Sequence, residues 1–352
     1  MSLPEFWFLL IAFLFTGYFL LEGFDFGVGM LMGILGRGSG NGGNGGDQDA
    51  DTRRRVLLNT IGPVWDGNEV WVLTAGGAMF AAFPEWYATL FSGFYIPLLL
   101  ILVALIVRVV AIEYRGKMDD PQWRKRCDYA IIFGSFVPAL LWGVAFANIV
   151  RGVAIDENGT VTASLFDLLN PYALLGGLTT LLVFLLHGTV FAALKTQGGV
   201  RDDAVALARR IAVPTTVVAA VFVLWTQSAH GKDWTWAMVL IAAACLLGAI
   251  GSTRAARERL AFALTSVAIV ATTVLLFGSL FPNVMPSTTD TAFNLTIDNA
   301  SSTHYTLVVM SWVALVLVPV VLVYEGWSYW VFRQRISTEH IPPSIGLPAR
   351  RS

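Results

Sequence analysis

Residues 5–34 read EFWFLLIAFLFTGYFLLEGFDFGVGMLMGI, an apolar run whose only charges after its first residue are Glu22 and Asp25. A helix rises 1.5 Å per residue, so about 20 apolar residues cross a hydrocarbon core of about 30 Å. The run is long enough to span a bilayer. Eight more segments meet the same standard: 56–82, 88–112, 128–150, 171–194, 211–229, 235–250, 260–281 and 305–332. The apolar residues are continuous rather than alternating, which points to spanning helices and not to the strands of a barrel. The expected fold is an all-α polytopic membrane protein of about nine transmembrane helices in one membrane domain over 1–352. Two four-helix bundles plus one peripheral helix is the expected arrangement.

Composition agrees with the pattern. Of 352 residues 56% are hydrophobic and 13% charged, against about 25% charged in an average soluble domain. Twelve Trp, 23 Phe and a mean hydropathy of +0.66 leave too little polar surface for a water-soluble enzyme. The net charge of −1 supplies no basic field for nucleic acid. Cys127 and Cys245 have no Cys or His at metal-ligand spacing, so a disulfide framework, a zinc ribbon and an iron–sulfur site all lack ligands. No basic residue precedes the first apolar run, which is therefore read as a retained helix and not as a cleaved signal peptide.

Charge also predicts orientation. The odd-numbered connections and the C-terminal tail hold 20 of the 23 Lys and Arg residues; the even ones and the N-terminus hold only Arg151 and Lys232, and Arg108 lies inside the third segment. Positive loops stay in the cytoplasm, so an inner-membrane protein is expected with its N-terminus outside and its C-terminus and residues 333–352 in the cytoplasm. The first cytoplasmic connection, 36–55, contains the glycine-rich stretch 36–46 and is read as a flexible linker. It lacks the Lys-Ser/Thr ending and the preceding strand of a phosphate-cradling loop. Trp86 and Tyr87 outside, and Trp327, Tyr329 and Trp330 inside, are expected interfacial anchors.

The residues that do not belong in lipid carry the functional signal. Glu22 and Asp25 are three apart and share a helical face, as do Asp66 and Glu69; Asn68 sits between the latter, with Trp65 and Trp71 flanking. Intramembrane carboxylates are costly and often belong to proton or ion pathways. The bland reading is that they hydrogen-bond polar helix surfaces or fill a subunit interface. Two depths are open for Asp66. A helix running through from Val56 places it about 15 Å inside the membrane, whereas a helix starting at Pro63 places it near the cytoplasmic surface. Arg108 either snorkels to the interface or pairs with one of these carboxylates. His187, deep in the fifth segment, has no clear partner for axial haem ligation and is expected to form a helix-to-helix hydrogen bond, so no haem is expected on this chain.

Several blocks resemble subunit II of cytochrome bd-type quinol oxidases. Gly23-Phe24-Asp25-Phe26-Gly27-Val28-Gly29-Met30-Leu31 is similar to that family's first-helix signature and Pro63-Val64-Trp65-Asp66-Gly67-Asn68-Glu69-Val70-Trp71 to its second. The stretches 75–84, 91–95, 134–138, 143–148, 168–171 and 285–287 are similar too, as is the closing Tyr324…Trp327…Tyr329-Trp330. The loop at 36–46 is longer than the family's short connection. The resemblance implies a partner, subunit I, that carries two b-type haems and one d-type haem, oxidises quinol near the outer face and reduces oxygen to water. Protons come from the cytoplasm, so charge separates without pumping. Subunit II stabilises that assembly; the family also includes bound quinone and small accessory subunits. By motif position Asp66 is the foremost proton-path candidate, with Trp65 as its packing neighbour. Glu69 and Asp25 carry over as motif members beside Glu22, and Asn68 and Trp71 as packing positions.

A second class fits the spans and carboxylates alone, namely a proton- or ion-coupled secondary transporter. It predicts inverted repeats and helices broken in corresponding halves. No convincing pair is visible in the sequence, and the motif blocks favour the oxidase subunit.

Overall fold

The computed structural model describes residues 1–37, 44–342 and 346–348. Its α-helices are α1 Leu3–Leu31, α2 Asn44–Ile61, α3 Trp65–Ala82, α4 Pro84–Gly93, α5 Tyr95–Tyr114, α6 Pro121–Arg151, α7 Pro171–Lys195, α8 Gly198–His230, α9 Trp236–Arg254, α10 Glu258–Leu280 and α11 His304–Val331. Among the described residues, eight helices (α1 and α5–α11) are long and apolar enough to cross a membrane. The ninth expected span corresponds to α3, whose first turns hold Asp66, Asn68 and Glu69 and are too polar to meet that standard.

Helix starts follow local rules. Ser2 and Glu5 form a reciprocal capping box at α1, and the side chains of Asp120, Asn170 and Thr303 cap α6, α7 and α11. Pro4, Pro84, Pro121 and Pro171 occupy first-turn positions, where a missing amide costs nothing.

Proline also explains where the structure departs from the expected segments. The segment 56–82 is two helices, because Pro63 removes an amide, its ring clashes with the carbonyl four residues back, and Gly62 before it is pushed out of the helical region. The segment 88–112 is also two. Helix α4 begins at Pro84, and Pro97 in the first turn of α5 cannot continue it, so the chain bends at Phe94. The flexible connection expected over 36–55 needs correction: residues 44–55 belong to α2, while residues 38–43 lie outside the described residues. Glycine dominates only the start of this stretch. From Asp49 onward there is neither Gly nor Pro, and Val56, Leu57 and Ile61 are buried. Arg53 Nε donates to the Leu35 carbonyl at 3.0 Å and the guanidinium pairs with Asp203.

Helix α1 packs on α3, α6, α7 and α10, α6 packs on α5 and α7 as well, and α8–α10 pack on from α7; α11 lies outside against α1 and α3. The core where α1 and α6 meet is aromatic, with Phe146 centred 5.0 Å from both Phe15 and Phe19. Helices α1 and α7 touch backbone to backbone at Gly27 and Gly188. Trp86 is buried, at 2% exposure, and is a core residue rather than the expected anchor, because α4 turns it inward beside Phe83. Trp327 and Trp330 are exposed as anchors should be.

Small sheets close both ends. Strand β1 (Met118–Asp119) pairs in parallel with β4 (Leu347–Pro348), and β2 (Asn283–Met285) pairs antiparallel with β3 (Leu295–Thr296). The start of the tail is docked as well: Ile336 N donates to the Lys195 carbonyl at 2.8 Å, and Gln197 N to the Ile336 carbonyl at 3.0 Å.

A β-carbon on Gly188 would lie 2.5 Å from the Gly27 Cα. Gly188→Leu is therefore expected to cost about 1–3 kcal/mol or more by forcing the helices apart, read as a lower melting temperature of the detergent-solubilised protein. An unchanged melting temperature would contradict the close approach.

Candidate functional site

The carboxylates of α1 sit where three helices meet. Glu22 and Asp25 are both fully buried. From α5 the equally buried Arg108 reaches between them and α3. Its Nη1 donates to Glu22 Oε1 and, at 2.8 Å, to Glu69 Oε1. Gly134 of α6 makes room for this reach, since a β-carbon there would stand 2.5 Å from the Arg108 Cβ. The guanidinium also lies 5.0 Å from the centre of the Phe26 ring, a favourable position for a cation. Of the two outcomes open for Arg108, the structure has the ion pair.

Asn68, fully buried on α3, extends the cluster. Its Nδ2 donates to Asp25 Oδ2 at 2.6 Å, and its Oδ1 accepts from the Tyr329 hydroxyl at 2.7 Å. Trp71 Nε1 donates to Glu325 Oε2 at 2.9 Å, which ties α3 to α11 a second time. Trp71 packs close because α1 has Gly17 opposite it; a β-carbon there would lie 2.1 Å from the indole ring. Four polar atoms of the cluster have no protein partner: Glu22 Oε2, Asp25 Oδ1, Arg108 Nε and Arg108 Nη2.

The structure thus brings together Glu22, Asp25, Glu69 and Asn68 of the residues singled out from sequence, while Trp65 and Trp71 are buried in the apolar packing of α3. Asp66 stands apart, in the first turn of α3 on its exposed side. Of its two expected depths, the start of α3 at Trp65 selects the one near the helix end. Two participants escaped the sequence reading. Tyr329, expected to anchor at the interface, points inward to Asn68, and Glu325 is a half-buried carboxylate within an apolar run. The criterion that found Glu22 would have found Glu325.

His187 Nδ1 lies 2.7 Å from Thr265 Oγ1 and Nε2 lies 3.2 Å from the Leu20 carbonyl, with the ring stacked on Phe262. Both nitrogens are engaged in the expected helix-to-helix bonding, which does not fit axial haem ligation. An apolar cavity of about 50 Å³ is lined by Phe19, Trp142, Phe146, Phe184, Phe222 and Leu276. Small-molecule pockets run to roughly 300–1,000 Å³, so this one does not fit a quinone ring.

Removing one partner of a buried ion pair leaves an uncompensated charge at a cost of about 3–5 kcal/mol. Arg108→Ala should therefore lower the amount of this chain in membranes sharply. Combining Arg108→Met with Glu22→Met should restore part of it; no recovery in the double variant would show that the pair is not the source of the defect.

Residues 3–332 match the family described as cytochrome bd terminal oxidase subunit II. The chain is 42% identical over 343 residues to cytochrome bd ubiquinol oxidase subunit 2 of Bacillus subtilis, covering 96% of this chain and 97% of that one. It is 35% identical over 373 residues to cytochrome bd-I ubiquinol oxidase subunit 2 of Escherichia coli strain K12, covering 95% of each. In fold it is similar to a chain of the bd oxidase from Geobacillus thermodenitrificans, with a TM-score of 0.72 at 16% identity, covering 94% of this chain and 99% of the other. The membrane helices, the buried first-helix motif, the second-helix motif that opens α3 and these likenesses agree: the chain belongs to the cytochrome bd terminal oxidase subunit II family.

Proposed function

We propose that this chain is the haem-free subunit of an oxidase that couples quinol oxidation to reduction of oxygen to water. It holds a haem-bearing subunit I and lines a path by which protons leave the cytoplasm. Family membership and the ubiquinol oxidase names of its relatives support the first part. The haems, supplied by subunit I, carry the electrons; this chain's residues position and deliver protons. The asymmetric distribution of Lys and Arg supports placing the arginine-rich face in the bacterial cytoplasm, with the N-terminus outside, the C-terminus inside and one membrane domain throughout.

One observation carries the proton-path reading: a single guanidinium faces three carboxyl groups, Glu22, Asp25 and Glu69, where water is scarce. An excess of buried negative charge is expensive unless a cation or a proton joins it. Arg108 already fills the space where a coupling cation would sit, so a proton is the species this cluster is built to take. Asp66 on the exposed side of α3 is the entry, Glu69 three residues on shares its helical face, and Glu22 and Asp25 lie beyond. The four unpartnered polar atoms mark where water would complete the relay.

Two substitutions test the roles separately. Asp66→Asn should assemble with an unchanged haem spectrum in the complex and take up oxygen on the order of tenfold more slowly; normal turnover in that assembled variant removes the relay role. Asp25→Asn puts a second amide against Asn68 and removes a charged acceptor. It should lower haem content in the purified complex more than turnover per haem, and wild-type values for both would contradict this.

A further inference from the structure

Beyond the end of α1, on the arginine-rich face, residues of α2 and the start of α6 enclose a cavity of about 890 Å³. It lies apart from the carboxylate cluster, and nothing in the proposed proton path uses it. Five basic side chains line it: Arg37, Arg54, Arg55, Arg124 and Lys125.

Its two lining acids are already engaged. Asp128 accepts from Arg115 Nε at 2.6 Å and pairs with Arg54 at 3.2 Å. Asp51 pairs with Arg115 at 2.8 Å and with Arg124 at 3.4 Å. Arg115, 3% exposed on its side chain, adds a sixth cation behind the wall. Among the described residues no ion pair engages Arg55 or Lys125. Burial, and then Arg115 and Arg124, hold the Arg55 guanidinium below the usual arginine range despite Asp51. Cations crowd a space large enough for a ligand, which is the arrangement an anion relieves.

The floor is apolar. Met32, Ile132 and Tyr129 line it, and from Tyr129 an exposed stripe continues along α6 through Phe133 and Phe136. Positions i, i+4 and i+7 form one helical face. A basic pocket at the end of membrane helices, opening onto an apolar stripe, matches a molecule with a phosphate head and acyl tails. We propose that this cavity binds phosphate, carried either by the headgroup of an anionic phospholipid or as the free ion; the stripe favours the lipid.

The test uses the complex of this chain with its partner subunit, purified and stripped of lipid, with native mass spectrometry counting what rebinds. Phosphatidylglycerol, phosphatidylcholine and inorganic phosphate are the probes. Phosphatidylglycerol should bind more tightly than phosphatidylcholine, and the Arg55→Gln/Lys125→Gln variant should bind it roughly thirtyfold more weakly. The charge-keeping Arg55→Lys/Lys125→Arg pair should bind as wild type does, and all should keep the same haem spectrum. Lys125→Gln alone, at an exposed position, should weaken binding about fivefold and serves if the double variant does not assemble. Phosphatidylglycerol that stays bound in excess inorganic phosphate identifies the lipid as the source. Inorganic phosphate that binds alone and displaces the lipid identifies the free ion. Equal binding of both lipids in every variant, with no bound phosphate, overturns the proposal.

Discussion

A guanidinium buried among carboxylates is the constraint around which this half of the molecule is arranged. Arg108 cannot be solvated where it sits, so its hydrogen bonds must come from protein groups or trapped water. Glu22 on α1 and Glu69 on α3 supply them, which fixes both helices relative to α5. Gly134 and Phe26 shape the passage through which the side chain reaches them. Such a pair does not stabilise a fold better than well-packed apolar residues of the same volume would. A group retained there points to use rather than to strength.

Much of this was legible in the sequence, because a charge inside an apolar run is conspicuous. Glu22, Asp25 and Glu69 stood out for that reason, whereas Arg108 left two fates open, and the ion pair was one of them. Which way each side chain of α3 faces was not legible. Asp66 and Asn68 differ by two positions, about 200° around the helix, so one turns outward and the other into the cluster; only the packing on α1 decides which. Helix α2 was hidden by the glycines ahead of it and owes its place to the docking of Val56, Leu57 and Ile61. The bend at Phe94 was hidden because Pro97 lies within an unbroken apolar run. Tyr329 is near a helix end and so had the look of an anchor, although its hydroxyl serves Asn68.

Helix α11 shows how little packing a membrane helix needs to hold its place. Only Leu307 of its residues is buried. Its attachments are specific polar ones: Trp7 Nε1 donates to Ser311 Oγ at 3.1 Å, Trp71 to Glu325, and Tyr329 to Asn68. Aliphatic surface brings little association between helices in lipid, whereas a donor and an acceptor brought together do contribute. The large apolar side chains left exposed on α5 and α11 are suited to lipid or to a second subunit.

The meeting of Gly27 and Gly188 bears on timing. Two backbones in contact form a stiff seam, and sliding or rocking α7 against α1 would first have to part it. Collective motions of that kind take microseconds to milliseconds, whereas an exposed side chain turns about its bonds in picoseconds to nanoseconds. A chain built on such a seam is a poor rocker and a good scaffold. The proposed proton relay asks only for side-chain rotations inside such a frame.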